Sequence, residues 1–399
     1  MGEAALRDGL IERDRHYLAE GASQMSRIID ADSHFMEPLD LWEQYIEPKY
    51  RSRCLRFERE PDGNYAMLLD GKRTTGLGEF TNRELLGVAV GYGQKEEGLN
   101  LTSFDPAAVF SHSLEDMDKR IAFLDEEGFE SQFIYPTLGL FWEDGVEDPD
   151  LAAAHCRAYN TWALEMCAGR RDRFYPVGHV SLRNPAEAAK EVRRLAKNGA
   201  RAVFIAAMPI GGKSLGNPDF DAVWAAAQEA NIAIGLHLVV HRAYVGNEWH
   251  RDRDPGFMFL SMNVIQDPRM ALTTMVYDGV FERFPRLRVA TIESASGWVA
   301  EWLDRLDYRY SYMGHTTQMK RPASEYFARN IWISADPTER TLPYMIELVG
   351  DNKFFIGSDY PHAEGFTQPV ARARKALAKL SAASVDKVLG ENAVRFFGI

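Results

Sequence analysis

The chain has 399 residues, 46% hydrophobic and 26% charged, which is enough to bury a sizeable core in one large domain or two smaller ones. A formal net charge of −12 argues against a nucleic-acid surface, where clustered Lys and Arg are expected, but leaves room for a local positive pocket. No stretch reaches about 18 uninterrupted apolar residues, the N-terminus lacks a signal-peptide core, and Cys54, Cys156 and Cys167 have no zinc-type spacing, so a cytoplasmic protein without membrane spans, disulfides or thiolate sites is expected.

Residues 1–26 mix Ala4, Leu6, Leu10, Ile11 and Leu18 with charge and read as a helical extension. The body, 27–399, begins with a strand at 28–32. Within 53–112 the short runs around Asp62-Gly63-Asn64 and Asp70-Gly71 predict a small inserted β-hairpin, and 83–112 predicts a long loop over the site. Strands at 132–136, 175–181, 202–206, 232–237, 288–292, 331–334 and 354–358 then alternate with helices, among them 113–127, 148–170, 185–198, 220–230, 339–349 and 369–380. Eight strands, most followed by a helix, predict an α/β fold, a distorted (β/α)8 TIM barrel rather than an open doubly wound sheet. No G-x-G-x-x-G opens any helix, which removes the usual dinucleotide reading. Trp298, Trp302, Leu303 and Leu306 form a helical apolar stripe suited to core packing.

The side chains at the strand ends carry the chemistry. Asp32 and His34 lie two apart on the first strand, so both point the same way. His237 ends the fifth strand, Glu293 the sixth and Asp359 the eighth, with His362 close behind. A carboxylate leaving an apolar strand must be paired, hydrogen-bonded or metal-bound to offset its desolvation. Converging ligands at this end of a barrel predict a metal-dependent active site. Glu37, Glu293 and Asp359 are the candidate proton-handling groups, and Arg242 and His250, in the loop after the fifth strand, the candidate substrate contacts.

Asp30-Ala31-Asp32-Ser33-His34-Phe35-Met36-Glu37-Pro38, Tyr159-Asn160-x-Trp162, Glu293-Ser294-Ala295-Ser296-Gly297-Trp298 and Gly357-Ser358-Asp359-Tyr360-Pro361-His362 resemble the longer branch of the amidohydrolase-related (amidohydrolase family 2) metal-dependent hydrolases. The resemblance spans about residues 27–398 and implies a metal centre held by Asp32, in place of the first His of H-x-H, with His34, His237 and Asp359. It also implies a homodimer. Two departures stand out. Glu293 occupies the place after strand six where decarboxylases and many hydrolases of this family put a catalytic His, and the fourth strand lacks the Lys that many dinuclear relatives carboxylate.

Seven candidate ligands (Asp32, Glu37, Glu293, Asp359, His34, His237 and His362) exceed the need of one zinc ion, which takes about three protein ligands plus water. One divalent ion, Zn2+ or Fe2+/Mn2+, predicts hydrolysis of a C–N or C–O bond in a small organic, acidic or aromatic substrate, and this reading is placed first. Two iron-like ions predict an oxygenase that hydroxylates a small organic acid or terpenoid. Decarboxylation, common in the family, comes third because the strand-six His is missing.

Overall fold

A computed structural model describes residues 27–74, 76, 77, 80–88, 91–96, 98, 100, 117–241, 261, 262 and 264–399. The expected N-terminal extension, most of the expected loop at its 97–112 end, and both Arg242 and His250 lie outside the described residues.

Strand β1 (Ile29–His34) is followed by three short antiparallel strands, β2 (Arg56–Arg59), β3 (Tyr65–Leu69) and β4 (Lys72–Thr74), and by a two-stranded ladder, β5 (Gly76–Leu77) and β6 (Phe80–Thr81). The rest of the sheet comprises β7 (Ser131–Tyr135), β8 (Phe174–His179), β9 (Ala202–Ala206), β10 (Ala233–His237), β11 (Val289–Ile292), β12 (Ile331–Ala335) and β13 (Phe354–Ile356). These seven and β1 pair in parallel in the order β1-β7-β8-β9-β10-β11-β12-β13, a nearly closed (β/α)8 TIM barrel. Every residue of β1, β7, β9 and β10 is buried, as expected for parallel strands covered on both faces.

The barrel closes just past β13. Asp359 N donates to Asp32 O at 2.9 Å and His34 N to Tyr360 O at 2.7 Å. Gly357 permits that approach, because a Cβ there would stand 2.2 Å from the Cβ of Asp32. Helices follow the strands with clear start signals. Asn184 caps Pro185–Lys197 by accepting from Glu187 N, and Asp148 caps Pro149–Met166 by accepting from Asp150 N and Leu151 N, each with Pro in the first turn. The Trp298 stripe is core: Trp298, Trp302 and Leu303 are buried against the barrel. Among the described residues no helix is long and apolar enough to cross a membrane.

Two differences from the sequence reading have physical causes. The expected hairpin is a three-stranded sheet, because Asp70 (φ 49°) and Gly71 (φ 73°) make a two-residue turn that pairs Leu69 with Lys72 and adds β4. The C-terminal helices Ala382–Asp386 and Asn392–Phe397 are too short to show a period, yet the last one buries Phe396 and Phe397, the latter with its ring 3.4 Å from that of Phe133 in β7.

Candidate active site

Two histidines are aimed by the backbone beside them. His34 ends β1 and His237 ends β10, both fully buried. Nδ1 of His34 lies 2.9 Å from Pro136 O, and Nδ1 of His237 lies 2.8 Å from Leu238 O. Each carbonyl selects the tautomer that leaves Nε2 as a free lone pair. Burial pushes His34 down to about 3 and His237 down to about 4, so both rings are neutral.

Carboxylates meet these rings from three strands. Asp32 Oδ1 stands 3.5 Å from His34 Nε2 and 3.9 Å from His237 Nε2. Glu293, just past β11, brings Oε2 to 3.3 Å from His237 Nε2, and Asp359, past β13, brings Oδ1 to 3.5 Å from His34 Nε2. Glu293 and Asp359 both take left-handed backbone (φ 51° and 55°), a conformation L side chains seldom adopt and one that clusters at functional sites. Burial above all pushes the carboxyl groups of Asp32, Glu293 and Asp359 upward.

Asp32 Oδ1, His34 Nε2 and His237 Nε2 are buried and, among the described residues, have no partner in hydrogen-bonding geometry. Three orphaned atoms beside an Asp359 oxygen met only by His362 Nδ1, at 2.7 Å, are costly unless a cation satisfies them, and imidazole with carboxylate suits a divalent ion. The donor set therefore fits a metal. Asp32, His34, His237 and Glu293 each offer one atom within 4.8 Å of the others; His34, Asp359 and His362 form a second such group, and Glu293, Asp359 and Glu364 a third. The expected ligand quartet is thus divided, with Glu293 joining Asp32 and the two histidines, while Asp359 reaches them through His34.

Other expected residues are placed differently. His362 stacks on His34 with ring centroids 4.0 Å apart; its Nε2 is 2.9 Å from Thr137 Oγ1, and only Nδ1, 2.7 Å from Asp359 Oδ1, faces the carboxylates. Glu37, expected to handle protons, is instead fully buried with its carboxylate engaged by the amides of Thr137, Leu138 and Gly139 at 3.0–3.3 Å. These bonds tie the end of β1 to the loop after β7. A conformation-free sequence reading cannot see three amides turning toward one carboxylate.

Several groups at the mouth escape the sequence reading. His179 ends β8, buried, with Nε2 3.0 Å from Glu143 Oε2; a histidine closing a strand was the signal. Asp336 directly follows β12, and burial, then Glu339, pushes it up to about 7. Glu364 sits in the loop past Asp359, its carboxyl likewise pushed upward by burial and then by Asp359. Lys95, from the inserted region, donates through its ammonium to Glu364 O and lies 3.4 Å from the Phe366 ring centroid. Asp30 is buried beneath the site, accepting from Ser358 N, Ser358 Oγ and Gln132 Nε2 at 2.6–2.8 Å, and so joins β1, β7 and the chain past β13. A separate small cavity of about 50 Å3 lies between the inserted sheet (Phe57, Met67), the loop after β7 (Phe141) and the chain past β10 (Val240, His241).

Three comparisons place this architecture among known proteins. The 2-amino-3-carboxymuconate-6-semialdehyde decarboxylase of Dictyostelium discoideum is 22% identical over 294 residues, covering 71% of this chain and 77% of the relative. The crystal structure of an amidohydrolase from Mycobacterium avium subsp. paratuberculosis superposes with a TM-score of 0.79 at 25% identity, covering 94% of this chain and all of that one. A 5-carboxyvanillate decarboxylase from Novosphingobium aromaticivorans, solved with bound manganese, shares the fold with a TM-score of 0.68 at 18% identity, covering 95% and 99% of the two chains. The model of the family described as Amidohydrolase matches residues 29–399, from the first barrel strand to the last residue, and the chain belongs to that family.

Proposed function

We propose that this protein is a metal-dependent decarboxylase of a small unsaturated or aromatic carboxylic acid. One observation carries the metal dependence: the converging, buried and otherwise unpartnered donor atoms of Asp32, His34 and His237, with Asp359 beside His34. The choice of reaction is supported by the decarboxylases among the relatives. Hydrolysis of a C–N or C–O bond is the second reading, favoured by Glu293 standing where the resemblance leads one to expect an imidazole.

A divalent ion held by Asp32, His34, His237 and Glu293 or Asp359 would supply a Lewis-acid pull on a substrate oxygen. The chain's own groups do the rest. Carbonyl groups of Pro136 and Leu238 hold the two imidazoles in one tautomer. Glu293 is the least enclosed of these side chains, with 18% of its side chain exposed, and so is the acid within reach of a reacting carbon. In decarboxylation the bond from that carbon to the carboxylate breaks, its electron pair stays on the carbon, the Glu293 proton forms the new C–H bond, and CO2 leaves. In hydrolysis the same side chain takes the proton of the attacking water and returns it to the leaving atom.

The test is release of CO2 by Mn2+-loaded enzyme from 5-carboxyvanillate, from 2-amino-3-carboxymuconate-6-semialdehyde and from related ortho-hydroxylated aromatic acids. Decarboxylation in D2O places one deuterium on the product carbon. Turnover of amides or lactones with no CO2 from any acid would give hydrolysis the first place.

A further inference from the structure

The metal centre straddles the seam of the barrel, where backbone pairing is thinnest. β1 and β13 stand at the two ends of the strand order, and among the described residues an isolated bridge, Ser33 to Tyr360, takes the place of a ladder between them. His34 and Asp359 meet across this seam, Nε2 3.5 Å from Oδ1. Side chains supply the missing support. Arg120, on the helix Met117–Glu127, is 6% exposed; its Nη2 donates to His34 O at 2.6 Å and its Nη1 to Gln132 Oε1 at 2.9 Å. A guanidinium only donates, so the Gln132 amide must present its oxygen to Arg120 and its nitrogen elsewhere, and Nε2 donates to Asp30 Oδ2 at 2.7 Å. Asp30 accepts in turn from Ser358 N and Oγ at 2.8 and 2.6 Å, and Ser358 Oγ accepts from Tyr360 N at 3.1 Å. The path ends where it began, because Tyr360 O accepts from His34 N at 2.7 Å. Six residues thus form a closed circuit of hydrogen bonds, with His34 a member and Asp359 held between two others.

We infer that Arg120 is a positioning residue of the metal centre: through this circuit it fixes the separation of His34 and Asp359 across the seam, and so sets how tightly an ion is held at the mouth. Burial agrees. Asp30, His34, Gln132 and Ser358 are each 0% exposed, so water does not compete for the bonds. The helix also grips the far side of the seam directly, with the Arg120 guanidinium carbon 5.1 Å from the Tyr360 ring centroid and the Phe123 ring stacked on Tyr360 at 4.0 Å. A planar fork suits the task better than an ammonium, because its two donors address a β1 carbonyl and a β7 side chain at a fixed angle. The inference rests on the metal-dependent reading above and adds to it a residue outside the barrel sheet that touches no ion.

The test is Mn2+ binding to the full, metal-stripped chain, followed by titration calorimetry and by electron paramagnetic resonance of the bound ion, with urea unfolding of the same samples. Arg120→Met is expected to weaken Mn2+ binding by about 10–100-fold, the usual effect of losing a partner behind a ligand, and to broaden the Mn2+ signal. Arg120→Lys, which keeps one charged donor, is expected to recover part of the affinity. Ser358→Ala opens the circuit on its opposite side and is expected to give a similar loss, and the double variant little more than either single one. Arg283→Met is the control: it removes a half-buried guanidinium bound to Asp221 and Gly216, and it is expected to lower stability at unchanged Mn2+ affinity. A folded Arg120→Met with the wild-type affinity and signal would overturn the inference. So would losses that add in the double variant, or an equal affinity loss in Arg283→Met, since either would mean local or general loosening. No Mn2+ in the wild type would instead sink the metal-dependent reading itself. Should Arg120→Met fail to fold, Arg120→Lys and Ser358→Ala carry the same comparison.

Discussion

The two halves of the barrel mouth are built on different principles. On the β1 and β10 side, Asp32, His34 and His237 lie inside strands, and each ring is fixed by a backbone carbonyl one residue past the end of its own or a neighbouring strand. On the β11 to β13 side, Glu293, Asp336, Asp359 and Glu364 lie past the strand ends, two of them on left-handed backbone. The strand half holds two neutral imidazoles and one carboxylate in fixed directions, which is what a metal ligand requires. The loop half gathers negative charge that must be offset by a cation or a proton, which suits groups that handle protons and substrate. Rigidity comes mainly from the strands of the rim and negative charge mainly from its loops.

The sharpest way to break this division is to remove a strand-borne donor. Asp32→Ala and His237→Ala are each expected to abolish stoichiometric Mn2+ binding, and all activity with it, as read by elemental analysis after gel filtration. Retention of one ion per chain in both variants would mean that the loop half holds the metal. Next in size is Glu293→Gln, expected to lower kcat by about 10²–10⁴-fold, the usual worth of a positioned proton donor, while one Mn2+ stays bound. Equal loss of metal and rate in that variant would make Glu293 chiefly a ligand.

The strand half was legible in the sequence and much of the loop half was not, for a physical reason. Asp32, His34 and His237 end apolar runs, and period-two geometry fixes where such side chains point. The eight barrel strands were legible for the same reason, to within one or two residues at most ends. Glu37, by contrast, sits in the same stretch of sequence as Asp32 and His34 but is turned into the structure by amides about 100 residues away. His362 approaches the carboxylates with only one nitrogen because Thr137 meets the other. Asp336, Glu364 and Lys95 come together through loops, where no repeating pattern records direction, and Lys95 arrives from an insertion more than 250 residues before Glu364.

The two halves also have to be held in register, and Gly357 does this where β13 meets β1. Gly357→Ala would set a methyl group 2.2 Å from Asp32 Cβ and 3.0 Å from its Cα, both on a buried strand that cannot yield freely. The expected cost is about 1–3 kcal/mol of stability, the range for overpacking a core, measured by denaturant unfolding. Because the displaced residue is Asp32, Mn2+ affinity should fall in the same variant. A stability loss with unchanged affinity would show that the strand half tolerates movement of its partner.

The smallest expected effect concerns the insertion that delivers Lys95 to the loop half. His155 anchors the start of that insertion: its Nδ1 lies 2.9 Å from Leu151 O, and Nε2 accepts from Leu55 N at 3.0 Å, so the ring must be neutral. Burial pushes it down from 6.5 to about 4. Between those values the unfolded chain holds a proton that the folded chain refuses, so stability falls as the pH drops through this window. The contribution of His155 is about 1 kcal/mol between pH 6.5 and 5.5. His155→Gln keeps a side-chain acceptor without the titration, so its stability deficit at pH 7 should shrink by about that amount at pH 5.5. A deficit that stays constant across the window would mean that the imidazole is protonated in the folded state, and that Leu55 is held by something other than its lone pair.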